Sequence, residues 1–151
     1  MNIVRTSLFI CCAVAFAACG GVPTSTNVPK KTVSTEQMLA DMDAGHSVGD
    51  DDITVARFRF LLDQLSRRFP ENRARIGDMT YVAQKGLRQD GISESLLTIM
   101  EGLNKASQSP QSRGRKYAEY AAAYSTIRAN GLSHEKAVDA LFKAMSLVPQ
   151  R

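Results

Sequence analysis

Residues 52–69 read DITVARFRFLLDQLSRRF, and the spacing of their apolar side chains decides the fold class. Val55, Phe58, Leu62, Leu65 and Phe69 recur at intervals of three and four, with Leu61 widening the stripe. That is the period of one buried face of an α-helix. Asp50, Asp51 and Asp52 supply a cap and negative charge where a helix N-terminus favours both. Arg59, Asp63 and Arg67 follow one another at steps of four, and the spacing predicts ion pairs along the wet side. Pro70 cannot continue the helix, so the chain is expected to turn there and begin another.

Working outward, the same grammar repeats. Ser34 followed by Gln37 has the form of a capping box, opening a helix over 35–44 that Gly45 closes. Residues 71–89 carry a weaker stripe of Ile76, Met79, Val82, Ala83 and Leu87, interrupted by Gly77 and Gly86. Each glycine costs a helix about 1 kcal/mol relative to alanine, so close helix–helix approach is expected at both. Gly91 suits a left-handed C-terminal position, and Ser93 is the expected N-cap of a helix running to residue 106. Residues 107–113 (SQSPQSR) read as a loop, 115–130 as a fifth helix and the stretch to 147 as a sixth. Leu87-Arg88-Gln89-Asp90-Gly91-Ile92-Ser93 and Ile127-Arg128-Ala129-Asn130-Gly131-Leu132-Ser133 lie 40 residues apart. Their likeness fades within a few residues on either side, so it reads as one capping solution used twice and not as a repeat array. The expected fold is all-α: a compact bundle of about six helices, built as stacked αα-hairpins.

The N-terminal fifth of the sequence, residues 1–33, has a different character. One arginine, Arg5, precedes an apolar run from Leu8 to Ala18, too short for a membrane-spanning helix and of the length of a secretory leader. All three cysteines (Cys11, Cys12 and Cys19) fall within the first 19 residues. Cleavage before Cys19 would leave a chain with one cysteine, which excludes an intrachain disulfide and a cysteine-based zinc site. Residues 20–33 (GGVPTSTNVPKKTV) have no apolar period and read as a tether. The predicted organisation is therefore a signal peptide at 1–18, a lipid-anchored tether at 19–33 and a helical domain at 34–151. The net charge of +4 falls to about +3 once Arg5 is removed, and does not call for a nucleic-acid partner.

The segment Phe16-Ala17-Ala18-Cys19-Gly20 resembles the lipobox of bacterial lipoproteins, departing from it in having Phe16 where leucine is usual. The resemblance covers the leader and the cysteine alone. It implies a diacylglyceryl thioether on Cys19, usually with a third, palmitate-type chain in amide linkage, and so a membrane as the first partner. Gly20, in place of the aspartate that retains such proteins in the inner membrane, implies the outer membrane facing the periplasm. Residues 34–151 carry no motif by which a domain family is recognised.

Candidate chemistry in the helical part is sparse. Arg57, Arg59, Arg67, Arg68, Arg73 and Arg75 lie within 19 residues and are opposed only by Asp63 and Glu71, a candidate face for an anionic partner. Tyr117, Tyr120 and Tyr124 fall three and four apart, as a docking surface or a core stripe would. His46 beside Asp50–Asp52 and His134 beside Glu135 lack metal-site spacing and are expected in loop and first-turn capping roles. Asp63, Glu71, Asp78 and Glu101 are the carboxylates available for acid–base work, each with a surface or pairing explanation. The Gly-Ile-Ser turn has the outline of a DNA-binding helix-turn-helix, but Leu87 and Ile127 stand where that motif wants a small residue. The expectation is a non-catalytic envelope lipoprotein, without cofactor or metal, that binds another envelope component, most simply a protein, in an accessory, assembly or inhibitory role. An exported cell-wall-active hydrolase is the alternative.

Overall fold

The computed structural model describes residues 33–147, all within the second of the two units into which the chain divides (Met1–Lys31 and Thr32–Arg151). The leader, Cys19 and nearly all of the expected tether lie outside the described residues, as do residues 148–151. Among the described residues there are six α-helices, α1 Thr35–Ala44, α2 Ile53–Ser66, α3 Arg73–Gln89, α4 Leu96–Ala106, α5 Tyr117–Ala129 and α6 His134–Leu147, with a 3₁₀ turn at Pro110–Ser112 and no strand. The all-α expectation holds. Consecutive helices pack together (α1 on α2, α5 on α6), and the bundle is interleaved where α3 lies on α5 and α4 on α6.

The stripe of α2 is buried as its spacing requires: Val55, Phe58, Leu61, Leu62, Leu65 and Phe69 all enter the core. The edges of Phe69 and the tyrosines meet, with ring centroids 5.4 Å from Tyr117 and 5.1 Å from Tyr120 in T-shaped contacts. Such contacts add to the area these rings bury. Asp52 caps α2 through a 2.7 Å bond from the Thr54 N–H. That bond and one from the Thr54 hydroxyl hold the Asp52 carboxyl below its usual range.

Several ends differ from expectation, each for a local reason. Helix α2 stops at Ser66 and not at residue 69, because the residue before Pro70 is driven out of helical geometry and the last turn tightens onto the Leu65 carbonyl. The third helix begins at Arg73, capped by Asn72, whose Oδ1 accepts from the Arg75 N–H at 2.9 Å. Helix α4 is capped by Ser95, not Ser93: Ser95 Oγ accepts from the Thr98 N–H at 3.0 Å. A second cap for α4 comes from across the fold, where Asp43 at the end of α1 accepts from the Leu96 N–H at 2.6 Å. Two carbonyl-seeking donors of a helix start are thereby satisfied by residues 52 apart in sequence (43 and 95). The capping box of α1 closes by half. Ser34 accepts from Gln37, but the Gln37 amide is drawn to Asp41 and the Val48 carbonyl, both at 2.9 Å, where it closes the α1–α2 loop.

The two helical glycines separate. A Cβ on Gly77 would stand 3.3 Å from Leu39 and Thr35, so close approach of α1 explains it. Gly86 has nothing within 4 Å of such a Cβ, and the close-approach expectation fails there. A third glycine, Gly102 on α4, is the tightest: a Cβ would sit 2.6 Å from the imidazole of His134 and 2.8 Å from Val138.

Candidate functional site

The six arginines do not form one face. Arg57 of α2 is ion-paired with Glu101 of α4. Arg59 and Arg73 converge from α2 and α3 on Glu36 of α1, at 3.2 and 2.9 Å, and Arg73 also reaches Asp63 at 3.1 Å. Tertiary carboxylates thus displace the expected i,i+4 pairs of Arg59 and Arg67 with Asp63. Burial pushes the Glu36 carboxyl up, but a backbone hydrogen bond and the two guanidinium groups outweigh it and hold it below its ordinary value. Arg75 stands on α3 at an apolar groove facing α5. Arg67 and Arg68 remain apart from these pairs, at the end of α2 beside the turn that follows α4.

The tyrosines belong to the core. Tyr117, Tyr120 and Tyr124 are all fully buried, so they offer no docking surface. Thr80 Oγ1 donates to the Ile76 carbonyl at 2.9 Å, which leaves it to accept from the Tyr117 hydroxyl at 2.8 Å. Burial raises the Tyr117 pKa well above its ordinary value against that bond.

Tyr124 leads to an arrangement that the sequence reading missed. Its hydroxyl donates to Glu94 and lies 2.7 Å from His134 Nδ1, while the other Glu94 oxygen is ion-paired with Arg128. Arg128 also donates to the Leu132 carbonyl, and Gln84 holds the Glu94 carbonyl at 2.9 Å. The Glu94 side chain is 9% exposed and that of Arg128 is 13%. Burial, then the hydrogen bond and charge of Glu94, push the Tyr124 phenol far up, so it stays a donor at all ordinary pH. Gly102 makes the bed on which the His134 ring lies. This cluster of Tyr124, Glu94, His134 and Arg128 ties the α3–α4 turn to the α5–α6 turn. His134 is therefore an internal fastener in place of the expected first-turn cap. The only sequence signal was the 40-residue offset, which puts Glu94 and His134 at equivalent places after the two turns. His46, by contrast, is exposed, with Nδ1 3.0 Å from the Ala44 carbonyl, a loop role as expected.

The remaining carboxylates are dispersed. Asp63 and Glu101 face arginines, Asp78 lines the α3–α5 groove, and Glu71 opens the approach to α3. No group of three or more histidine, cysteine or acidic side chains able to hold a metal occurs among the described residues. No described helix is long and apolar enough to cross a membrane.

What the surface does present is apolar. Ile53 and Phe60 stand two turns apart on α2 and are 73% and 60% exposed. With Ala56 and Leu61 they form one wall of a groove of about 480 Å³ whose other wall is Glu101, Asn104 and Lys105 of α4 and Gln108 just after it. Large apolar side chains of this exposure, grouped and rimmed by polar residues, mark interaction surfaces.

Fold and site together describe an all-α domain with a fastened interior and an open apolar groove. A family model, MoxZ, matches residues 36–146, nearly all of the helical part. The chain belongs to the MoxZ family, which supplies the domain family that its motifs alone did not reveal. No curated protein and no solved structure matches it.

Proposed function

We propose that this chain is a non-catalytic envelope lipoprotein, cut before Cys19, anchored by lipid on that cysteine and facing the periplasm from the outer membrane, whose helical domain binds another envelope protein. The observation that carries the binding reading is the exposure of Ile53 and Phe60 on one face of α2 beside α4. Leaving the Ile53 side chain and the Phe60 ring largely in water forgoes about 1.5–3 kcal/mol of burial each, a cost that a partner would recover. The Arg57–Glu101 pair crosses the groove and would serve as a polar rim. The anchoring reading is supported by the lipobox-like segment 16–20 and by the need for at least two acyl chains for stable attachment.

A photoreactive side chain placed at position 60 of the full-length chain tests the groove in intact cells. One discrete adduct with an envelope protein is expected, lost on Ile53→Asp and absent when the probe sits at Glu135 on α6. Equal adducts from both positions would remove the groove from the proposal. Anchoring is tested separately, by incorporation of labelled palmitate and its loss in Cys19→Ser.

A further inference from the structure

We infer that the outer face of α3 is a self-association surface, on which a second copy of this chain packs with its own α3 antiparallel to the first. Tyr81 and Val82 stand at the middle of that face, 43% and 66% exposed. Asp78 and Lys85 are exposed on either side of them, one toward each end of the helix. Seven residues make two turns, so the two charges share a face about 10.5 Å apart, too far to pair with each other. Neither makes an ion pair or a side-chain hydrogen bond among the described residues. Arg57, Arg59 and Arg73 differ in this respect, since each meets a carboxylate of its own chain.

The order of these four residues makes the face complementary to itself. The midpoint between positions 78 and 85 is also the midpoint between 81 and 82. A two-fold axis crossing α3 there sets Asp78 of each copy opposite Lys85 of the other and gathers both Tyr81–Val82 pairs at the centre. That is an isologous contact, in which the same patch serves both copies. A parallel approach in register would set aspartate on aspartate and lysine on lysine, so the charges select the antiparallel orientation. Arg75 and Arg88, the next cations along the helix, stand about 140° apart around its axis, on opposite flanks of the face. The two-fold matches like flanks, and so it does not bring one arginine against the other. One helix face buries little area, so the contact is of the weak class. Exposed ion pairs contribute little singly, and the apolar centre supplies the remainder. The surface is separate from the α2–α4 groove and rests neither on it nor on lipid.

Sedimentation equilibrium of the full-length chain in density-matched non-ionic detergent is the test. The wild-type chain is expected to dimerise reversibly with a dissociation constant below about 1 mM. Asp78→Lys and Lys85→Asp each replace two attractions with two like-charge contacts and are expected to weaken the dimer about tenfold or more. An equimolar mixture of these two variants should regain the wild-type affinity, because one copy then carries both lysines and the other both aspartates. Val82→Asp should abolish association, and Lys136→Asp, an exposed charge reversal on α6, should leave it unchanged. Far-UV circular dichroism checks that every variant keeps its helices. The inference is overturned if the wild-type chain stays monomeric at about 1 mM, or if the single reversals at 78 and 85 do not weaken the dimer. It is equally overturned if their mixture associates no better than either alone, or if Phe60→Asp on α2 abolishes association as Val82→Asp does.

Discussion

The turns at 88–93 and 128–133 share a backbone and have opposite fates. Gly91 and Gly131 both adopt left-handed geometry, φ 76° and 89°, and each N–H returns to the carbonyl of the arginine three residues before it. Yet Arg88 is exposed, while Arg128 is sunk among Glu94, Tyr124 and His134. Equivalent residues of equivalent turns thus end as a surface charge and as part of an interior network. The local code specifies how the chain reverses, and the neighbours that arrive later specify what its side chains do.

The largest expected effect tests that difference directly. Arg128→Ala leaves the Glu94 carboxylate buried without its cation and is expected to lower stability to urea by about 3 kcal/mol, whereas Arg88→Ala should change it by less than about 0.5 kcal/mol. Equal losses would mean that the network contributes nothing beyond the turn. Next comes Gly102→Ala, which places a methyl group against the His134 ring and should cost about 1–3 kcal/mol by overpacking, whereas Gly86→Ala, with open space, should be neutral or stabilising. Thermal melts of the two variants read the sign. Gly91→Ala and Gly131→Ala are then expected to cost about 1–2 kcal/mol each and to match one another, since left-handed strain is local; a clear inequality would show that the second turn is held by its network as well as by its glycine.

The smallest effect concerns the other fastener, Glu36. Its carboxyl pKa is lower in the fold than its ordinary value of 4.5, so the ionised form contributes stability that is fully present above about pH 4.5. That contribution is lost as pH falls below 4.5 through the depressed value, because the unfolded chain binds the proton first. Glu36→Gln should flatten this part of the stability–pH curve; an unchanged acid limb would assign the loss to other carboxylates.

Much of the architecture was legible in residue order. The three-and-four spacing of Val55, Phe58, Leu62 and Leu65 located α2 and its buried face, and Gly45, Gly91 and Gly131 marked three reversals, because period and left-handed glycine are local properties. Helix starts were less legible. Ser93 and Ser95 are equally good caps in isolation, and Asp43, from another helix, helps to decide where α4 begins. The candidate site was read in part. Arg67 and Arg68 were visible as charges, but their distinction from Arg57, Arg59 and Arg73 depends on where Glu36, Glu101 and Asp63 come to lie. Tyr117, Tyr120 and Tyr124 were compatible with core or surface, and packing on Phe69, Thr80 and Glu94 placed them inside.

By itself, the order of residues determined that the domain is helical, where its chain turns and which stripe of α2 faces inward, for these follow from interactions within a few residues. The tertiary structure alone decided which arginines are neutralised, that Glu94 joins two turns 40 residues apart, and that Ile53 and Phe60 are left uncovered. Charge compensation and burial depend on partners distant in sequence, and only folding brings those partners together.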